Sequence, residues 1–241
     1  LSVQVEKMAK SKLNGVDPME VIAEYGADSV RLYELFMGPL EQTKPWQMES
    51  VEGVYRFLAR AWRLVVDERT GELSEKLTDA PPESEPELQK SLHKTIKKVF
   101  EDTEGLRFNT AVSQMMIFVN DATQAETLPR EIVRDFLRVL SPYAPHLAEE
   151  AWHVLAGDQD PGLVVLEPWP EHDEALCVED MVTVVIQVMG KVRDRLEVPK
   201  DTSKEELERL ALASEKAQRF IEGKTPKKVI VVPGRLVNVV V

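Results

Sequence analysis

The sequence predicts a mainly α protein, an antiparallel helical bundle followed by a small α+β domain. Three observations carry this. Apolar side chains recur at helical spacing as far as about residue 157, the period drops to two beyond about 181, and Pro, Asp and Gly crowd the stretch between. The 241 residues, 43% hydrophobic and 30% charged, suffice for one large core or two modest ones. No apolar run reaches the roughly 18 residues needed to span a bilayer. The opening LSVQV reads as strand-like with no cap or turn before it, so the expectation is a segment of a longer chain.

The elements follow in order. DPMEVIAEYG predicts a short helix with Asp17 as N-cap, Pro18 at the first helical position and Gly26 at its end. ADSVRLYELFMGP predicts a second, halted by Gly38-Pro39. Residues 50–70 predict the longest helix so far, with Val51, Val54, Tyr55, Leu58, Trp62 and Val65 as its apolar stripe. The polar, proline-bearing 71–87 stretch predicts a loop. Helices are then expected at about 86–104, at about 109–124 and at about 129–140. Asn109 caps the second of these, with Val112, Met115, Met116 and Val119 inward; Pro129 starts the third, with Ile132, Val133, Phe136, Leu137 and Leu140 inward. SPYAPH breaks the chain, and PHLAEEAWHVLAG restarts a helix that ends at Gly157. Four amphipathic helices with short connections make an antiparallel bundle.

Residues 158–180 read as a linker, rich in Pro, Asp and Gly. Beyond it TVVIQV and VRDRLEV predict a hairpin around Met189-Gly190, with Gly190 alone at positive φ and Met189 in an ordinary region. Ser203 and Glu206 predict a capping box for a helix through Ala213, and a second short helix ends at Gly223. KKVIVV and RLVNVVV predict another hairpin around Pro233-Gly234. The expected divisions are 1–49, 50–157, 158–180 and 181–241.

Charge is unevenly spread. Residues 181–241 hold twelve basic against eight acidic groups, an excess of +4, which leaves 18 basic against 34 acidic elsewhere, a net of −16 within the total of −12. A basic tail on an acidic body points to a polyanionic partner for the tail. One cysteine, Cys177, excludes an internal disulfide, and the four histidines lack zinc-site spacing. His146 and His153 lie seven apart on one predicted helix, where capping and packing is the reading taken over a metal pair. No metal site is expected.

Three groups of residues are candidates for chemistry. Lys7, Lys10 and Lys12 crowd around Ser11. Ammonium groups on a loop can follow the oxygens of a triphosphate as charge builds on them, although no G-x-x-x-x-G-K-[ST] cradle is present and a solvated loop is the plain alternative. On the 50–70 helix Arg56, Arg60 and Arg63 align on the ridge opposite the apolar stripe, a geometry suited to a phosphate backbone. Glu52 and Asp67, four residues before Arg56 and after Arg63, could equally consume two of the three. In the tail Lys191, Arg193 and Arg195 alternate with other residues, which sends Arg193 and Arg195 to one face of a strand and Leu196 to the other. Lys227, Lys228 and Arg235 flank the second hairpin. A sheet edge kept charged against aggregation is the plain alternative there.

EKMAKSKLNGVDP followed by YGADSVRLYELFMGP resembles the KMSKS loop and following helices of class I aminoacyl-tRNA synthetases. The resemblance continues through LEQTKPWQMESVEGVYRFLARAW, FNTAVSQMMIFVN, LSPYAPHLAEEAW and EPWPEHDEA. VVIQVMGKVRDRLEVP and KKVIVVPGRLVNVV look like the small C-terminal domain of the bacterial leucyl-tRNA synthetase family, so the match runs over essentially the whole chain. It implies that residues 1–49 end a catalytic domain, that 50–157 are a bundle of the class I anticodon-binding type, and that 181–241 bind tRNA. The implied reaction joins leucine to tRNA-Leu at the expense of ATP, giving AMP and pyrophosphate, in a cytoplasmic monomer with Mg2+ accompanying the ATP.

Lys7 and Lys10 match the two lysines of the motif and would stabilise the departing pyrophosphate, with Lys10 the more direct ATP contact and Ser11 beside it. Arg56, Arg60, Arg63 and the tail cations Lys191, Arg193, Arg195, Lys227, Lys228 and Arg235 would contact tRNA. Ala9 departs from the serine usual in the motif, and Met189 from the asparagine usual before Gly190. The HIGH motif, nucleotide-binding fold and editing domain of the family do not occur in these 241 residues, so the segment is expected to bind no ATP and catalyse no leucine-dependent ATP–pyrophosphate exchange alone. A free-standing RNA-binding helical module without ATP chemistry is the alternative.

Overall fold

A computed structural model describes residues 6–39, 41–178, 181–200, 202–221 and 226–240. The expected strand at LSVQV lies outside the described residues. The chain divides into two compact units, Leu1–Cys177 and Val178–Val241.

In the first unit α1 (Pro18–Tyr25) begins as expected: Asp17 accepts the Met19 N–H at 2.9 Å with Pro18 in the first turn. Gly26, at φ 85°, both ends α1 and precedes α2 (Ala27–Phe36). Then come α3 (Met48–Arg63), α4 (Pro86–Glu104), α5 (Phe108–Gln124), α6 (Arg130–Leu140) and α7 (Pro145–Ala156), whose end at Gly157 has φ 65°. Val21, Val30, Leu32 and Tyr33 of the first two helices share one core with α3 to α7, so packing does not break at the expected 49/50 division. Asp28 cements this junction, accepting the Leu147 N–H and a hydrogen bond with His146 Nδ1, both at 2.8 Å. Arg31 adds a bond to the Pro142 carbonyl at 3.0 Å. His153 pairs separately with Glu149.

Three local expectations change. α3 stops at Arg63, not near residue 70, because Leu64, Val65 and Val66 bury themselves in a turn that pairs Val66 with Leu73. Its buried face is Val51, Val54, Phe57, Leu58 and Ala61, whereas Tyr55 turns outward to meet Tyr25 edge-on. Asn109 lies inside the first turn of α5 and is not its cap. That turn is anchored from α4, where fully buried Asp102 accepts from Arg107 Nε at 2.8 Å and Thr110 Oγ1 at 2.6 Å, with Lys98 alongside. Leu106, at φ 54°, makes the corner.

The 158–180 linker is largely a strap packed on the bundle. Val164 is buried, its N–H bonded to Glu149, and Arg138 donates twice to the Pro168 carbonyl, at 2.6 and 3.0 Å. The strap ends in α8 (Glu174–Cys177), where Lys97 pairs with Glu174 at 2.7 Å and the Asp173 N–H donates to His93 Nδ1 at 3.0 Å. A short parallel pair, β1 (Leu77–Thr78) with β2 (Leu128–Pro129), ties the 71–87 loop to the start of α6.

The His93 bond needs a neutral acceptor. Burial lowers its pKa, with His172 adding to the effect and Asp173 and Asp135 opposing it; Lys97 and Glu174 stand nearby as an ion pair. The unfolded chain therefore takes up the proton at higher pH than the folded one. This contribution to stability is full above about 6.5 and fades as pH falls through the lowered folded value. The protection factor of the Asp173 amide should fall on acidification through that window, and a His93→Gln variant should lack that fall.

The second unit is a sheet in the order β4-β3-β6-β5, with β3 (Met181–Val188) antiparallel to β4 (Lys191–Pro199), β5 (Lys228–Val232) antiparallel to β6 (Leu236–Val240), and β3 parallel to β6. Helices α9 (Lys204–Ala213) and α10 (Glu215–Ile221) cover one face through Leu207, Ala211, Ala217 and Ile221. Ser203 caps α9 by accepting the Glu206 N–H, but the Glu206 side chain pairs with Arg209, so only half of the expected box forms. Gly223 lies outside the described residues.

The expectation at Met189 is overturned: Met189 has φ 52° and Gly190 φ 76°. Val188 pairs with Lys191, leaving a two-residue loop. Such a loop between right-twisted strands selects the turn with both central residues left-handed. The Met189 N–H to Val239 and Gly190 N–H to Asn238 bonds hold it there. Since the Met189 side chain is exposed, Met189→Asn should stabilise the second unit by about 0.5–1 kcal/mol, read from its urea midpoint in the whole chain. No helix among the described residues is long and apolar enough to cross a membrane.

Candidate nucleotide and nucleic-acid interface

The lysines around Ser11 are not equivalent. Lys12 Nζ is spent on Glu6 at 2.8 Å, whereas exposed Lys7 has no side-chain partner among the described residues. The Lys10 side chain lies outside what is described; its backbone opens a 3-10 turn, Lys10–Lys12, that carries exposed Ser11. Asn14 folds back across the loop, Oδ1 accepting the Ala9 N–H at 2.9 Å and Nδ2 donating to the Lys7 carbonyl at 3.3 Å. Leu13, at φ 51°, makes that return possible. The sequence gives no periodic or compositional signal for Asn14; only its position after a lysine cluster could have drawn notice.

The arginine ridge on α3 is occupied internally. Arg56 faces Glu52 at a loose 3.7 Å, Arg60 donates to Asn120 Oδ1 at 2.5 Å, and Arg63 pairs with Glu68 at 2.6 Å. Asp67, the expected partner of Arg63, lies beyond the helix end and binds Arg69 instead, whose hydrogen bonds hold the carboxyl down at about 2. Arg60 and Arg63 then join Arg69 and Lys76 around a cavity of about 580 Å3 whose walls also carry Asp67, Glu68 and Glu75. A site so evenly charged is no phosphate cradle in this state. Arg60 and Arg63 would have to exchange partners to meet a backbone.

The tail offers more available charge. Lys191, Arg195, Lys227, Lys228 and Arg235 are exposed, and none has a side-chain acceptor among the described residues. The register sets Arg195, Val185, Leu236 and Val232 in one row across the sheet, on the face opposite the helices, with Arg235 next in chain. Lys228 stands on the far edge strand. An apolar strip with cations at its margins suits an unstacked base beside its phosphate.

Arg193 departs from its expected place. The pairing shifts between Ile186 and Gln187, making Arg193 the unpaired bulge residue. The bulge turns it from the Arg195 side onto Phe220 of α10, its guanidinium carbon 3.7 Å from the ring centroid. Its Nε is buried without an acceptor among the described residues. Simple alternation could not show this, because one inserted residue reverses every side chain near it. No group of three metal-ligating side chains occurs among the described residues.

Residues 86–208 match the anticodon-binding domain of tRNA ligase family. That span runs from α4 through the strap into α9. Among solved structures, the chain is similar to the agnB2 LeuRS of Agrobacterium radiobacter K84, determined as a ternary complex with tRNA and LeuAMS. Identity is 28% with a TM-score of 0.65, over 97% of this chain and 31% of that one. The chain thus spans about a third of the length of the protein it resembles.

Proposed function

The chain belongs to the anticodon-binding domain family of tRNA ligases, and from that premise we propose that it is the C-terminal part of a leucyl-tRNA synthetase. The observation that carries this reading is coverage: the likeness to the LeuRS structure runs over 97% of the chain. The parent enzyme would activate leucine with ATP and pass it to tRNA-Leu. Lys7 and Lys10 supply positive charge where pyrophosphate departs, and Lys7 is exposed with no side-chain partner among the described residues.

The bundle and tail hold the tRNA. Of the candidate contacts, the tail cations Lys191, Arg195, Lys227, Lys228 and Arg235 are the stronger, because none of them has a side-chain acceptor among the described residues. Arg56, Arg60 and Arg63 are secondary. The bundle's acidic excess confines RNA to chosen places.

Salt dependence separates these contributions. Binding of tRNA-Leu to the 241-residue chain should weaken steeply with salt, since each neutralised phosphate releases counterion. Replacing Arg195 and Arg235 together by Gln should reduce the slope of log K against log salt by about 2. An unchanged slope would remove the tail from the interface.

A further inference from the structure

We propose that Asn14 is a positioning residue of the lysine loop: its carboxamide clamps the backbone that carries Lys7 and Lys10 into shape before nucleotide arrives. This rests on the reading of that loop as the ATP-contacting element.

A planar amide brings one acceptor and two donors to a single point. Here both of its ends are used on backbone, Oδ1 on the Ala9 N–H at 2.9 Å and Nδ2 on the Lys7 carbonyl at 3.3 Å. The chain from Lys7 to Asn14 is thereby closed into a ring. Two further bonds brace it, from the Lys12 N–H to the Ala9 carbonyl at 3.0 Å and from Lys12 Nζ to Glu6 at 2.8 Å. Lys12 is thus part of the frame, and Lys7 has no side-chain partner among the described residues.

Leu13 is the second observation. Its φ of 51° is unfavourable for any side chain with a Cβ, and at 94% exposure no packing offsets that strain. What the turn does achieve is the return of the Asn14 side chain onto the loop. Strain kept at an exposed leucine, next to a clamp across two lysines, is strain kept for the clamp.

The gain is preorganisation. An ammonium on a disordered loop must be ordered as the transition state forms, and that ordering subtracts from the charge stabilisation it supplies. A ring already closed removes part of that subtraction. The clamp makes no use of the serine hydroxyl usual at position 9: Asn14 holds the main chain of Ala9 and uses nothing on its side chain.

The test uses the intact synthetase, with Asn14→Ala and Asn14→Asp each made in the wild type and in a Lys7→Ala/Lys10→Ala background. Leucine-dependent ATP–pyrophosphate exchange gives kcat and KM for ATP and leucine. Asn14→Ala should lower kcat/KM for ATP roughly tenfold, leaving the leucine KM and the melting temperature unchanged. Asn14→Asp keeps the acceptor, loses the donor and should fall between. In the double-lysine background Asn14→Ala should have no further effect, because nothing is left to position. Unchanged ATP parameters, or the same factor lost in both backgrounds, would overturn the proposal. Full exchange by the double-lysine enzyme with Asn14 intact would instead remove the ATP reading of the loop, and the clamp's purpose with it.

Discussion

Changing Lys7 and Lys10 together to alanine in the intact synthetase is expected to lower leucyl-adenylate formation by at least about 10²–10³, the loss typical of removing one preorganised donor. Negative charge grows on the phosphoryl oxygens as pyrophosphate leaves, and an ammonium placed there is worth more in the transition state than in the bound substrate. The loss should therefore fall mainly on kcat. The leucine KM should not move, because on the proposed reading both lysines act on the departing pyrophosphate. Arginine at either position should rescue poorly, since a planar fork does not track a moving oxygen as a compact ammonium does. Undiminished adenylate formation would end the assignment.

The second large effect lies far from any nucleotide. Asp102→Ala is expected to destabilise the first unit by about 2–4 kcal/mol, a drop of roughly 4–16 °C in its melting temperature. Asp102 is fully buried and gathers Lys98, Arg107 and Thr110, joining the end of α4 to the start of α5. Truncation removes three charge-assisted bonds. The loss stays below the worst case for a broken buried pair, because Lys98 and Arg107 are each about half exposed and regain water. Burial by itself would raise the Asp102 carboxyl pKa, but the bonds from Lys98, Thr110 and Arg107 outweigh it and hold the value low. The folded state thus keeps the ionised form to lower pH than the unfolded chain does. This stabilisation is complete above the ordinary aspartate value of about 3.9 and disappears as pH falls through the folded value. Asp102→Asn should lose less stability at neutral pH and flatten the acid limb of a pH–stability curve.

What could be read from the chain, and what could not, divides by range. The bounds of α4 are those expected, and Asp17, Pro18, Gly26, Gly157 and Ser203 act where local chemistry sends them. Periodicity and capping are short-range signals. The departures each involve a partner distant in sequence or a register. Asn109 lies inside α5, whose first turn is tied instead through the Arg107 and Thr110 side chains to a carboxylate on the preceding helix, and α3 ends early because Val66 finds Leu73. Val164, Pro168 and Asp173 turn a composition typical of linkers into a strap by meeting Glu149, Arg138 and His93.

The interface was legible to the same degree. Lys7 is exposed with no side-chain partner among the described residues, but its difference from Lys12 needed Glu6 in place. Arg56, Arg60 and Arg63 do share a ridge, yet their neighbours' choices set how much of that charge reaches solvent. Arg193 left its expected face through a one-residue bulge. Met189 accepts a backbone shape it disfavours because the hairpin demands it.

The Asp28 junction has a mechanical meaning. Since α1 and α2 are set into the same core as the helices that follow, the downstream root of the lysine loop is fixed to the bundle as to the arm of a lever. Any tilt of that arm carries the root with it, and no relay of shifting side chains is needed in between.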